Sequence, residues 1–334
     1  SFNASIVVDN LMMRRSNLNC DFFNFEMSGK MNFASLMMSL NEYADSFVHF
    51  PKWEGNREKF LEYQKNHDVD QDFMVQLNLK DMSTISRLLM PSVQIANNST
   101  VSGTYTSHTN SLNLTVRSKN VQVGTVEIND IELKHFNFYK TAMTSLSVGE
   151  VVYGQSDSTS YGLDNISLVT RMTNDTIFAR FKWDDVSEVD HNKALIETYF
   201  HPHEQGGIFS ITQADILIND SLWTASPLNF IDIADGRTTL SNIMFSHNDQ
   251  FIRLDGYVPM ASNDTLSVMM RQFDLSNIDM LLMASGIDLD GLASGDVLMS
   301  GIKEDPMVLA NLQVQKLGLN CKGVGDAVIE STWD

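Results

Sequence analysis

The densest group of metal-ligating side chains is His201-Pro-His203-Glu204, followed at once by Gly206-Gly207. A zinc site needs three or four converging N, S or O donors. A third well-placed ligand is missing, so the segment reads as a polar loop. Asp288-Leu-Asp290-Gly291 has the opening of a calcium loop but lacks the acid spacing and the closing Glu that complete one. No glycine-rich strand-to-helix turn carries the Lys and Ser/Thr that cradle phosphate. Asn98, Asn113, Asn165 and Asn263 open Asn-x-Ser/Thr triplets, the acceptor pattern of eukaryotic secreted proteins, but asparagine also favours turns and strand ends on its own account. No nucleophile, base and oxyanion set is legible. The expectation is a protein that is not an enzyme, with no catalytic residue, no metal and no cofactor.

Charge narrows the partners. The 334 residues hold 23 Lys+Arg against 42 Asp+Glu, a net charge of −19. That is the opposite of the basic footprint a phosphate-tracking protein requires, so nucleic acid is not an expected partner. Two cysteines, Cys20 and Cys321, exclude a disulfide framework by number and leave either one bridge or two packed thiols. No run of eighteen apolar residues and no charged-then-apolar leader occurs, and the chain starts at Ser1 in mid-pattern, as an internal piece of something longer would.

The elements are mostly strands. In Phe251–Val258, Ile252, Leu254 and Val258 fall on one face and Arg253, Asp255 and Tyr257 on the other. After the Asn263-Asp264 turn, Leu266, Val268 and Met270 repeat the alternation. Beyond Pro306, Val308, Ala310, Leu312 and Val314 alternate with Leu309, Asn311, Gln313 and Gln315. Further short strands with Asn, Ser and Gly turns recur from Asp72 onward, which marks an all-β build. Between Ile208 and Ile218 the phase changes near Gln213, where Phe209 and Ile211 hand over to Ala214, Ile216 and Ile218; this predicts a bulge. Helices are few. Phe33, Leu36, Met37, Leu40, Tyr43, Ala44, Phe47 and Val48 keep helical spacing, with Asn32 as N-cap and Pro51 as stop, and Ser35, Ser39, Asn41, Glu42 and Asp45 oppose them. Glu58–Asn66, Ser83–Met90 and Leu275–Met283 are further short helical stretches. The predicted organisation is residues 1–70 as strands plus the amphipathic helix 33–49 and a polar helical connector, then a β structure over 71–334 with a sub-boundary near 190–206.

A strictly alternating sheet has one apolar face that needs a second layer, closure on itself, or a ligand. About fifteen strands at ~4.8 Å extend beyond what a few short helices roof. The expected fold is therefore all-β with a few short helices: an elongated, curved, mostly antiparallel sheet folded into an open U-shaped trough with an apolar interior. The residues expected to line it are the ten just named, from Ile252 to Val314, with Met269, Met270, Met280, Met283 and Met299 as adaptable neighbours.

The order of several segments adds a resemblance. Leu222-Trp223 after a turn, Asp235-Gly236-Arg237, His247-Asn248-Asp249-Gln250, Leu254-Asp255-Gly256 and the helix from Leu275 resemble the TamB family of translocation and assembly modules, in the form found in Bacteroidetes-type bacteria. Gly291-Leu-Ala-Ser-Gly295, Pro306, Gly323-Val-Gly325 and Trp333-Asp334 extend the likeness, as do Leu79–Ser83, Pro91 and Asn97–Gly103. It covers the chain from Phe33 on and lies in the order of weak motifs. The resemblance implies an internal section of a periplasmic, inner-membrane-anchored envelope protein whose anchor lies outside this chain. Such a section would hold phospholipid acyl chains in its groove, and other parts of the full protein would engage an outer-membrane assembly partner. The alternative is a periplasmic or surface β protein that adheres through its loops, motivated by polar turns and acidic charge.

Overall fold

In the computed structural model the chain is mostly antiparallel β, as expected, with two α-helices among the described residues. The structure describes residues 2–8, 14–51, 54–83, 86, 90, 92–156, 159–184, 192–218, 221–258, 261, 263–278, 287–301 and 305–331. Two compact units divide after Asp185.

The first unit holds β1 (Phe2–Val8), β2 (Arg14–Cys20), β3 (Phe23–Lys30), α1 (Phe33–Asp45), α2 (Glu54–Gln64), β4 (Asp72–Leu79), β5 (Val93–Ile95), β6 (Thr100–Thr106), β7 (Ser111–Val123), β8 (Val126–Phe138), β9 (Thr141–Ser156), β10 (Thr159–Thr173) and β11 (Thr176–Asp184). Each strand pairs with the next in chain order, except that β4 pairs with β6 and short β5 lies beside β7. β3 and β4 pair from Phe23↔Leu79 to Lys30↔Asp72, so both helices are an excursion between two adjacent strands.

Asn32 caps α1 as predicted: its side chain accepts from the Ala34 N–H at 3.1 Å. The helix ends at Asp45, well before Pro51. The Asp45 carboxylate meets His49 Nδ1 at 2.8 Å and accepts the Phe50 N–H, which folds the chain back on the last turn. The face α1 buries is the predicted one in part, with Leu36, Leu40 and Tyr43 on the core, but it is rotated toward the serines. Ser35, Ser39 and Tyr43 are inside, while Phe33 and Met37 are 72% and 67% exposed. Small serines let the helix backbone approach the sheet, and hydrogen bonds make the contact on that side. Gln71, fully buried, donates to Asn32 O and Ser35 Oγ and accepts the Asn32 N–H, each at 3.0 Å, while the Tyr105 hydroxyl donates to Ser39 O at 2.8 Å.

α1 and the residues after it form one core with the sheet. Tyr43, Phe47 and Val48 are buried with Tyr105 and Ala142, and Phe73, Leu112, Met172 and Ile177 pack around them. These partners sit at one end of strands that run from β4 to β11. Laid flat, β4 and β11 are six steps apart, about 29 Å. One helical turn reaches both only because the sheet curls around it.

The second unit holds β12 (Lys193–His203), β13 (Gly206–Ile218), β14 (Ser221–Ala225), β15 (Phe230–Ala234), β16 (Arg237–His247), β17 (Gln250–Tyr257), β18 (Thr265–Asp274), β19 (Leu289–Ser300), β20 (Met307–Leu319) and β21 (Lys322–Ser331). β14 and β15 share one position between β13 and β16. Asn229 spans the break with its side chain, accepting the Ile211 N–H and donating to Ile211 O, both at 2.8 Å. The other strands pair in chain order. The described part of Leu275–Met283 is a single 3-10 turn, Leu275–Ile278; Met280 and Met283 lie outside the described residues, as do most of Ser83–Met90 and the Asn219-Asp220 turn.

Candidate functional site

The feature that organises the second unit is a face rather than a pocket. Antiparallel partners project to the same side of a sheet, so the register carries each predicted lining residue onto its neighbours. Ile252 pairs with Met270, Leu254 with Val268, and Gly256 with Leu266. Across β19, these continue to Gly295, Val297 and Met299, and then to Leu312, Ala310 and Val308. Val314 follows Leu312 on that face and pairs with Ala293, itself the partner of Phe273. Val258 falls just beyond β17, with its N–H donated to Thr238 O at 2.8 Å. Nine of the ten predicted residues are thus register-paired on one surface, and the tenth extends it by alternation. Leu266 and Val314 are buried; Val308 is 39% exposed.

Bulges keep that surface apolar. Inner residues jump by three at Ile211→Ala214, Leu240→Ile243, Met270→Phe273 and Val314→Leu317, each at a register shift. The first is the bulge predicted near Gln213. At three of the others a non-glycine residue takes positive φ: Asn242 at 50°, Gln272 at 45° and Lys316 at 53°. A bulge inserts one residue, bends its strand and raises local twist. Without that extra residue, each strand would turn its polar side inward beyond the jump. Among the register-paired residues of β12 to β20, none that shares the face of Ile252 is charged, and in β21 only Lys322, paired with Leu319 beside the β20–β21 turn, does so. Charges collect on the other side, where the row Arg253, Met269, Asp296, Asn311 and Glu330 crosses five strands.

The apolar face is concave. Trp223 on β14 and Phe273 on β18 are three steps apart, about 14 Å on a flat sheet, yet their ring centroids lie 5.5 Å apart. His247 is 5.8 Å from the same indole. Among the described residues of this unit no helix longer than the 3-10 turn covers the face.

The first unit repeats the pattern. Leu18, Phe25, Leu77, Val101, Val116, Leu133, Leu146, Leu168 and Phe181 form one row across nine strands, all half-buried. α1 covers the end of this face at Phe73, Tyr105, Leu112, Ala142, Met172 and Ile177 and leaves that row open. Tyr43 lies within hydrogen-bond distance of His135 Nε2 at 2.7 Å, and His135 Nδ1 is 2.8 Å from Thr144 Oγ1. Burial lowers the His135 pKa, raises that of Tyr43 and pushes Tyr105 up to about 12. The phenol therefore donates to a neutral imidazole, which donates in turn to Thr144. The unfolded chain takes up a proton at the ordinary histidine value near ~6.5 and the folded one only below it. This contribution is thus complete above about pH 6.5 and falls away as pH drops through the lowered value. His135→Gln should flatten the loss of first-unit stability between about pH 6.5 and 5, measured as urea midpoints at each pH.

The segment His201–Glu204 is not a loop through most of its length: both histidines end β12 on the charged side. His203 Nε2 is 2.8 Å from Asp232 Oδ1, and His203 Nδ1 accepts the Gln205 N–H. Among the described residues no three His, Cys, Asp or Glu side chains converge for a metal. Both cysteines are free; Cys20 is buried, whereas Cys321 is exposed in the β20–β21 turn and so is not packed. No described helix is long and apolar enough to cross a membrane. No family model, curated protein or solved structure matches the chain.

Proposed function

We propose that this chain is a periplasmic section of a TamB-like envelope protein that carries phospholipid by its acyl chains along the apolar face. Other parts of the same inner-membrane-anchored protein would engage an outer-membrane assembly partner. The observation that supports this most directly is the concave face, free of register-paired charge from β12 to β20, which no described helix roofs. Each methylene moved from water onto such a surface gains about 0.8 kcal/mol. A chain of a dozen or more is held without any polar contact, and it can slide because the floor is uniform. No reacting group is required. The order of turn and strand segments that resembles the TamB family supplies the envelope setting.

The test is a photo-crosslinking residue at Leu312 or Val268, on the apolar face, against one at Gln313 or Ser267, on the opposite face. Phospholipid adducts should form at the first pair and at most a few per cent as often at the second. Equal labelling of the two faces would defeat the proposal.

A further inference from the structure

Trp223 carries a donor with nothing to donate to. Its ring is 4% exposed, and the indole Nε1 is cut off from solvent with no hydrogen-bond partner. Buried polar groups are nearly always paired, so an orphan on a candidate ligand face calls for a missing acceptor. The neighbouring side chains cannot supply one. Phe273 has no acceptor, and His247 has its ring nitrogens engaged with Leu222 O at 2.8 Å and Asn248 Nδ2 at 2.9 Å. Trp223 pairs with Ile216 and so belongs to the same apolar face as Ile252. The first unit carries a counterpart: Trp183, beside Phe181 on its apolar face, also has a buried Nε1 without a partner.

We propose that Trp223 is the polar anchor of the acyl site, its indole N–H donating to the ester carbonyl oxygen of a bound acyl chain. This rests on the acyl-binding reading above and adds the part of the ligand that is recognised. Register-paired Lys and Arg are absent from the face in β12 to β20, the strands around Trp223, which selects a neutral oxygen over a carboxylate, because no cation there offsets the desolvation of a buried negative charge. Admitting the carbonyl requires the Phe273 and His247 rings, whose centroids lie 5.5 and 5.8 Å from that of the indole, to move aside.

The probes are methyl laurate and tridecane, delivered from cyclodextrin to the full chain; they have similar chains, and only the first has a carbonyl. The four tryptophans are labelled with nitrogen-15 at the indole, and Trp223 is assigned from the signal lost in Trp223→Phe. The expected result is a downfield shift of the Trp223 N–H with methyl laurate and not with tridecane. Trp223→Phe, which keeps the ring, should weaken methyl laurate about two- to tenfold and leave tridecane unchanged. The wild-type spectrum carries the test even if the variant folds poorly. Identical responses to the two probes, with ester affinity intact in Trp223→Phe, would overturn the anchor and leave acyl binding standing. Failure of both probes to bind wild type would overturn the acyl-binding reading itself, and the anchor with it.

Discussion

Gly295→Ala will destabilise the second unit by about 3 kcal/mol, whereas Gly323→Ala will change it by less than about 1 kcal/mol in either direction. Gly295 sits at φ +136°, in the left-handed half of backbone space, on the apolar face between Met270 and Leu312. A Cβ there would meet the Asn311 carbonyl oxygen at 2.0 Å and Leu312 Cα at 3.0 Å. Both obstacles are backbone, so no side chain can swing away. Relief requires β19 and β20 to part at the middle of the face, which loses ladder hydrogen bonds as well as incurring the strain of the φ value. Gly323, in β21, has nothing within 4 Å of a built Cβ and no positive φ. Urea midpoints and amide exchange across β19 and β20 distinguish the two. Equal midpoints for the two variants would mean that the close approach at Gly295 relaxes freely.

The same position shows what was legible in the sequence. Strand alternation at Ile252–Val258, Leu266–Met270 and Val308–Val314 could be read directly, because period two is a local property and each run was long enough to exclude a helical stripe. The bulge near Gln213 was legible too, since Ile211 and Ala214 break the phase within one segment. The bulges at Asn242, Gln272 and Lys316 gave a weaker signal: a non-glycine residue at positive φ is a small steric cost, offset only when the neighbouring register holds it. The strand resuming after Gly291, β19, was legible as well, but of its inward residues only Met299 was expected in the lining, because Ala293, Gly295 and Val297 vary in size and glycines interrupt the alternation, although the strand lies at the centre of the face.

Helix α1 failed differently. Its periodicity was read correctly and its buried side only in part: Leu36, Leu40 and Tyr43 do face the core, but Phe33 and Met37 are exposed and Ser35 and Ser39 are inside, because a moment of apolar residues assumes that burial follows hydrophobicity. Ser35 and Ser39 are inside because Gln71, 36 residues along the chain from Ser35 and adjacent in space, and Tyr105 present polar groups to them. Trp223 and Phe273 likewise meet through curvature, which no local pattern encodes.

Gln71→Leu should therefore release α1 from the first unit while leaving the strands paired. The side chain is fully buried and uses both amide hydrogens and its carbonyl oxygen on Asn32 and Ser35. Leucine nearly fills the same volume but strands the half-buried Asn32 N–H and carbonyl and the Ser35 hydroxyl, which is sealed from water. Each orphan costs about 1–3 kcal/mol, so the loss is several kcal/mol concentrated at the helix N-terminus. The bonds of the Gln71 backbone to Ser107 are independent of the substitution and keep β4 tied to the β6–β7 turn. Amide exchange in α1 should accelerate by a hundredfold or more, with β6 to β9 little changed. An apolar dye should gain access to Phe73, Leu112, Met172 and Ile177. Ser35→Ala removes only one of the three partners and should give a fraction of the effect. If α1 keeps its protection in Gln71→Leu, the helix is held by Tyr43, Phe47 and Val48 alone, and its polar seat contributes nothing.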